Sequence, residues 1–223
     1  MKKIYGNGAV RMMAQPSGVV FLTADEVVDG KTTVSYWAYA FDGGSLMRVS
    51  RRVYLQAMFG VRFEQWHELM PDFVNFRFTD IGNNRYLSLY PTGDAKVFDR
   101  NYQEIWQGKL NYKDFGPSDA VRIGKSVWVA FPEGDTILRF NAETMREELR
   151  IGSKKDNAFS RPCGLWSIDN KLIVCNASGN CIEMVDTDTY VVERYAPFNE
   201  PVYQYFKIGS IEIVLLESGI YVL

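Results

Sequence analysis

The sequence predicts an all-β fold of the propeller type in a single domain, and three observations carry that prediction. Pro71, Pro117, Pro162 and Pro201 stand 46, 45 and 39 residues apart and open similar stretches. A period of roughly forty residues with several short strands per unit marks blades repeated around an axis. Fourteen Phe, thirteen Tyr and five Trp among 223 residues, set between alternating Val, Ile and Leu, suit pleated strands rather than helices. Two of the units also align without a gap at an offset of 45, as set out below.

Taken in chain order, the first unit, about 9–58, is the most diverged. Its Phe41-Asp42-Gly-Gly-Ser45 fits a strand-end turn, and Asp29-Gly30 is expected in a longer hairpin loop. Residues 59–72 break the repeat. Val61, Phe63, Trp66, Leu69 and Met70 have a loosely helical spacing among Arg62, Glu64, Gln65, His67 and Glu68, so a short amphipathic helical or irregular insertion is expected. The second unit, about 73–112, carries Pro91-Thr-Gly-Asp94 where the third, 117–153, carries Pro132-Glu-Gly-Asp135. The third and fourth (162–196) are the gapless pair: Ile123 meets Ile168, Val129 meets Val174, Gly134 meets Gly179, Ile137 meets Ile182 and Asn141 meets Asp186. Each match has a physical reason. Glycine supplies the positive φ of a tight turn, alternating aliphatics bury one face, and Asn or Asp closes the next turn with its side chain. The last unit has three strands, Pro201 to Ile208, Ile211 to Glu217 and Gly219 to Leu223. Lys2 to Gly6 is the natural fourth, since pairing the termini in one blade removes an open sheet edge. The expected fold is a five-bladed β-propeller with the N-terminal strand completing the last blade.

Charge and composition narrow the partners. Lys plus Arg is 25 and Asp plus Glu is 27, a net charge of −2 with both signs interspersed, so the clustered basic excess of a nucleic-acid domain is missing. The basic start is not followed by an apolar stretch of signal-peptide length, and no run is long enough to span a bilayer. A soluble, cytoplasmic monomer that needs no cofactor is expected, although a signal peptide already removed would leave no trace. Cys163, Cys175 and Cys181 all fall in one unit and are expected as free thiols. Cys175 and Cys181 flank the hairpin Asn-Ala-Ser-Gly-Asn, which leaves a bridge across it open, and Asn176-Ala-Ser178 matches a glycosylation acceptor that also reads as a turn.

With Pro162-Cys-Gly-Leu-Trp-Ser-Ile-Asp-Asn-Lys-Leu-Ile-Val-Cys-Asn176, followed by Cys181-Ile-Glu-Met-Val-Asp186, the fourth unit resembles the repeats of the NHL, YVTN and gluconolactonase-like propellers. The likeness is good in the third and fourth units and fair in the second, about half of the chain. It implies the fold; these propellers host enzymes, ligand binders and scaffolds alike, so it implies no activity.

In such propellers the loops entering each inner strand share one face around a central channel with the hairpins between second and third strands. That face would collect Asp72, Asp119, Arg161 and Glu200, both Pro-x-Gly-Asp hairpins, and the insertion with Trp66 and His67. The leading expectation is a non-catalytic binding or scaffold propeller that takes a protein partner or a small anionic ligand there. Arg11, Arg77, Arg122, Arg161 and Lys207, one basic residue per blade, would line the channel for an anion, and Trp66 with His67 would serve the insertion. The alternative is a small hydrolase of a sugar or lactone, with Asp72, Asp119 and Glu200 around a divalent cation or a scissile bond. His67 is the single histidine and no Gly-x-Ser-x-Gly elbow occurs, so a serine or cysteine triad is not supported.

Overall fold

The computed structural model of the chain describes residues 1–5, 9–14, 19–28, 31–41, 46–49 and 77–223. Among them are twenty strands in five four-stranded antiparallel sheets. The chain falls into two compact units, residues 1–71 with 204–223, and residues 72–203.

The first unit holds two of the sheets. One runs β2 (Ala9–Ala14), β3 (Val19–Val28), β4 (Lys31–Phe41) and β5 (Leu46–Val49) in order. Pairing of β3 with β4 continues as far as Val28 opposite Lys31. The extra length expected of the Asp29-Gly30 loop is therefore taken up by strand. The other sheet has the order β1-β20-β19-β18, formed by β18 (Val202–Ile208), β19 (Ile211–Leu216), β20 (Gly219–Val222) and β1 (Lys2–Tyr5). Lys2 stands opposite Val222 and Lys3 opposite Tyr221, so the N-terminal strand completes the last sheet as expected. The insertion at 59–72 lies outside the described residues.

The second unit holds three sheets in simple up-and-down order: β6 (Arg77–Gly82), β7 (Arg85–Leu89), β8 (Asp94–Phe98) and β9 (Glu104–Lys109); β10 (Asp119–Ile123), β11 (Ser126–Phe131), β12 (Thr136–Asn141) and β13 (Glu147–Ile151); and β14 (Pro162–Ile168), β15 (Lys171–Asn176), β16 (Cys181–Asp186) and β17 (Val192–Pro197). The second strand of each is the most deeply buried, and β11 shows why. Val127, Val129 and Phe131 point into one core with Leu87, Val97 and Phe140, while Trp128 and Ala130 point into another with Phe159, Leu165 and Val174. Successive side chains go to opposite faces of a strand, so a sheet packed on both sides needs apolar residues at every position. The expectation that one face is buried thus holds only toward the edge: the outer strands β9, β13 and β17 are largely exposed.

The strand-end turns follow the sequence reading. Asn141 Oδ1 accepts the N–H groups of Glu143 and Thr144, Asp186 Oδ1 those of Asp188 and Thr189, and Asp99 Oδ1 those of Asn101 and Gln103. The hairpin glycines divide. Gly93 has φ +83 as expected, but in the next two sheets the left-handed position falls one residue later, at Asp135 (φ 51) and Asn180 (φ 49). Gly134 is required there for space: a Cβ on it would stand 2.6 Å from the Tyr112 ring.

Candidate functional site

Inner strands begin at one end of each sheet and meet their first hairpin at the other. The leading ends are where the sequence places its candidate residues, and within residues 72–203 they are occupied by sheet-to-sheet ties. The Thr79 hydroxyl donates to the Ala120 carbonyl (3.2 Å), and the Ser118 hydroxyl donates to the Cys163 carbonyl (2.8 Å). Cys163 Sγ also lies 3.5 Å from the Cys175 carbonyl within its own sheet.

Asp119 belongs to the same set. It is 8% exposed, its Oδ1 accepts the N–H of Ala120 (2.9 Å), and its Oδ2 accepts the N–H of Leu165 in the neighbouring sheet (2.9 Å). Both oxygens are held by backbone donors, an arrangement that satisfies buried amides. Arg161, immediately before β14, has a left-handed conformation (φ 56); its N–H donates to Asp135 Oδ1 at 2.7 Å, and its exposed guanidinium stands 3.9 Å from Glu133 Oε1. This joins the Pro132–Asp135 hairpin to the start of the next inner strand. Glu200 is partly buried just before β18. Asp72, Trp66 and His67 lie outside the described residues.

The basic series divides between the two ends. Arg77 is the first residue of β6 and Arg161 precedes β14, both at leading ends. Arg122 and Lys207 stand one residue from the close of their strands, at the hairpin end. Arg122 is exposed and lies across Gly82, and Lys207 pairs with Glu212 at 3.3 Å. Arg11 is the third residue of β2. A register read from sequence puts a residue on a strand; the distance from each strand's start, which differs among the units, decides which end it serves.

The three cysteines are free thiols. Asn176 is the residue opposite Cys181, and Cys175 is opposite Ile182, so Cys175 and Cys181 point to opposite faces of the sheet and cannot bridge. Burial, reinforced by the neighbouring Asp119 carboxylate, pushes the Cys163 thiol up to about 12, and burial also raises Cys175. Neither is a ready nucleophile at neutral pH. Asn176 is 1% exposed; its amide donates to Glu183 Oε2 (2.9 Å) and accepts the Ser160 N–H (3.1 Å). The Asn-Ala-Ser acceptor pattern is therefore a folded hairpin whose asparagine is sealed inside.

Among the described residues no group of three or more His, Cys, Asp or Glu is placed to hold a metal ion, and no helix is long and apolar enough to cross a membrane.

No protein-family model matches the chain, and no curated protein matches it in sequence. Solved structures do match. Virginiamycin B lyase from Staphylococcus aureus is similar with a TM-score of 0.57 at 12% identity, over 94% of this chain and 77% of the other. A chain of the nidogen/laminin complex is similar with a TM-score of 0.53 at 11% identity, over 96% of this chain and 72% of the other. At such identity the likeness speaks to architecture alone. With the four-stranded antiparallel sheets, it establishes that the chain has a β-propeller fold.

Proposed function

We propose that this protein is a non-catalytic binding propeller of five blades in one domain, which engages a protein partner or a small anionic ligand through the loops at the leading ends of its inner strands. The observation that supports this most is Asp119. The one described carboxyl group of the hydrolytic alternative that sits on an inner strand is buried, with both oxygens committed to backbone N–H groups, whereas a general acid or a cation ligand must present an oxygen to its target. Thr79 and Ser118 are likewise committed to ties between sheets. What remains for recognition at these ends is the exposed guanidinium of Arg161 beside the Pro132–Asp135 hairpin, with Arg77 at the matching end of its own strand. Residues 59–72, with Trp66 and His67, are the segment that departs from the repeat, and departures of this kind serve specificity rather than scaffold.

The test pairs a native mass spectrum with a denatured spectrum of the same sample, and sets both beside turnover assays on chromogenic glycosides and lactones. The expected result is no turnover, with binding of inorganic phosphate or citrate, where present, weakened by Arg161→Ala. Turnover that disappears in folded Asp72→Asn or Glu200→Gln variants would overturn the proposal in favour of the hydrolase.

A further inference from the structure

A cleft of about 250 Å³ opens at the hairpin ends of the sheets β10–β13 and β14–β17, away from the leading-end loops. Its walls come from three connections: Ser126 after the β10–β11 turn, Asn170 in the β14–β15 turn, and Thr187 with Asp188 after β16. The Thr187 hydroxyl donates to the Asn170 carbonyl at 2.5 Å, so two of these turns are fixed to one another.

The back of the cleft is Trp128 and Arg139, which stand opposite each other on β11 and β12. The guanidinium lies between two rings, 5.8 Å from Trp128 and 5.6 Å from Tyr190. It donates to the Tyr190 hydroxyl at 2.7 Å, and Glu148 Oε2 is 3.4 Å from its Nε. A guanidinium carries five N–H donors in a fork suited to a carboxylate, so these partners leave donors over. Trp128 is 1% exposed and closes the back of the cleft, and among the described residues Arg139 Nε is buried without a hydrogen-bond partner. Asp188 donates its backbone N–H to Asp186, while its carboxylate has no partner among the described residues.

These features choose a ligand class. One ring face of Trp128 is taken by Arg139 and the residue belongs to the core, so the cleft offers no open aromatic platform of the kind a sugar ring stacks on. It offers N–H and O–H donors on one side and a carboxylate on another. Its volume lies below the roughly 300–1,000 Å³ of sites for drug-sized ligands. We propose that the cleft binds a small zwitterion of the α-amino-acid class, with the ligand carboxylate received by Arg139 and Ser126, and its ammonium group by Asp188 beside Asn170. The site is separate from the leading-end loops and does not depend on what they bind.

Saturation-transfer NMR and calorimetry on the full chain test this, with glycine, l-alanine and l-serine as probes. N-acetyl-l-alanine, which lacks the ammonium group, and l-alaninamide, which lacks the carboxylate, are the controls. At least one zwitterion binds, and its blocked analogue binds about tenfold more weakly or worse. Asp188→Asn, a change at a side chain without a partner among the described residues, lowers affinity for the zwitterion by about tenfold while the melting temperature stays the same. Absence of transfer from all three zwitterions at millimolar concentration overturns the proposal, as does equal binding of l-alaninamide or unchanged affinity in Asp188→Asn. Arg139→Lys serves as a second variant: if it remains folded, it also weakens the zwitterion, because an ammonium cannot reproduce the fork.

Discussion

At Asp119 one side chain closes two backbone donors in adjacent sheets, and removing it strands both in a dry environment. Each buried donor left unsatisfied costs about 1–3 kcal/mol. Asp119→Ala is therefore expected to lower the urea-unfolding free energy by about 2–4 kcal/mol, with Asp119→Asn costing less because its carbonyl still accepts one bond. An unchanged midpoint would remove the structural role and reopen the residue as chemistry. Glu183 is a second residue whose setting predicts its behaviour. Burial pushes its carboxyl group up, against the opposing effects of the Asn176 amide and Arg194. A raised folded pKa contributes stability below the unfolded value and loses it as pH rises through the folded one. Glu183→Gln keeps an acceptor for Asn176 and carries no charge, so it should raise the melting temperature at pH 7 to 8, with the gain fading toward pH 4. Sequence reading found Asp119 by its position before an inner strand but assigned it to a surface loop. Its burial arises from the N–H of Leu165, a partner 46 residues away that no local pattern displays.

At the scale of the element, the turns separate what was legible from what was not. The caps at Asn141 and Asp186 were read correctly because an Asx turn is made by a side chain and the backbone a few residues on, all within one stretch of sequence. Gly134 was assigned to the right hairpin for the wrong reason, since the left-handed residue is Asp135 and the glycine answers to Tyr112 in the preceding connection. Gly134→Ala should accordingly cost about 1–3 kcal/mol, the usual range for overpacking a filled site. A compensating Tyr112→Leu in the same chain should recover part of it, as a double-mutant cycle on thermal unfolding would show. The cleft went unread for a related reason. In the gapless alignment Arg139 falls opposite Met184, and an arginine where the sister unit has methionine is a signal, but the alignment weighs matches and passes over such departures.

For the whole molecule, the repeat in the sequence yielded the four-stranded sheets and the pairing of β1 with β20, because both follow from counting strands and finding one short. The spacing of prolines says nothing about which ends of the strands the basic residues reach, and that part of the site needed coordinates. The terminal pairing also gives a prediction. Without residues 1–6, β20 would become the edge of its sheet, a strand reading Gly-Ile-Tyr-Val. With them, the edge is Lys-Lys-Ile-Tyr, whose lysines are exposed and whose Lys3 Nζ lies 5.7 Å from the centre of the Tyr221 ring. Lysine on an edge strand discourages pairing with another chain. A chain beginning at residue 7 should melt at lower temperature and scatter light in proportion to concentration; a monodisperse chain with the parent's melting temperature would show that β1 guards nothing.

The same pairing sets an order of events during synthesis. β1 leaves the ribosome before the other described strands, yet its partner in the ladder is more than two hundred residues downstream. At about 5–20 residues per second, β1 waits roughly 10–40 s for that partner. The four residues that seal the last sheet are thus made before the other described strands and are the last of them to find a partner. Among the described strands, a chaperone that holds exposed strands has its longest window at β1, and stalling translation shortly before residue 219 would trap a chain with β1 still unpaired.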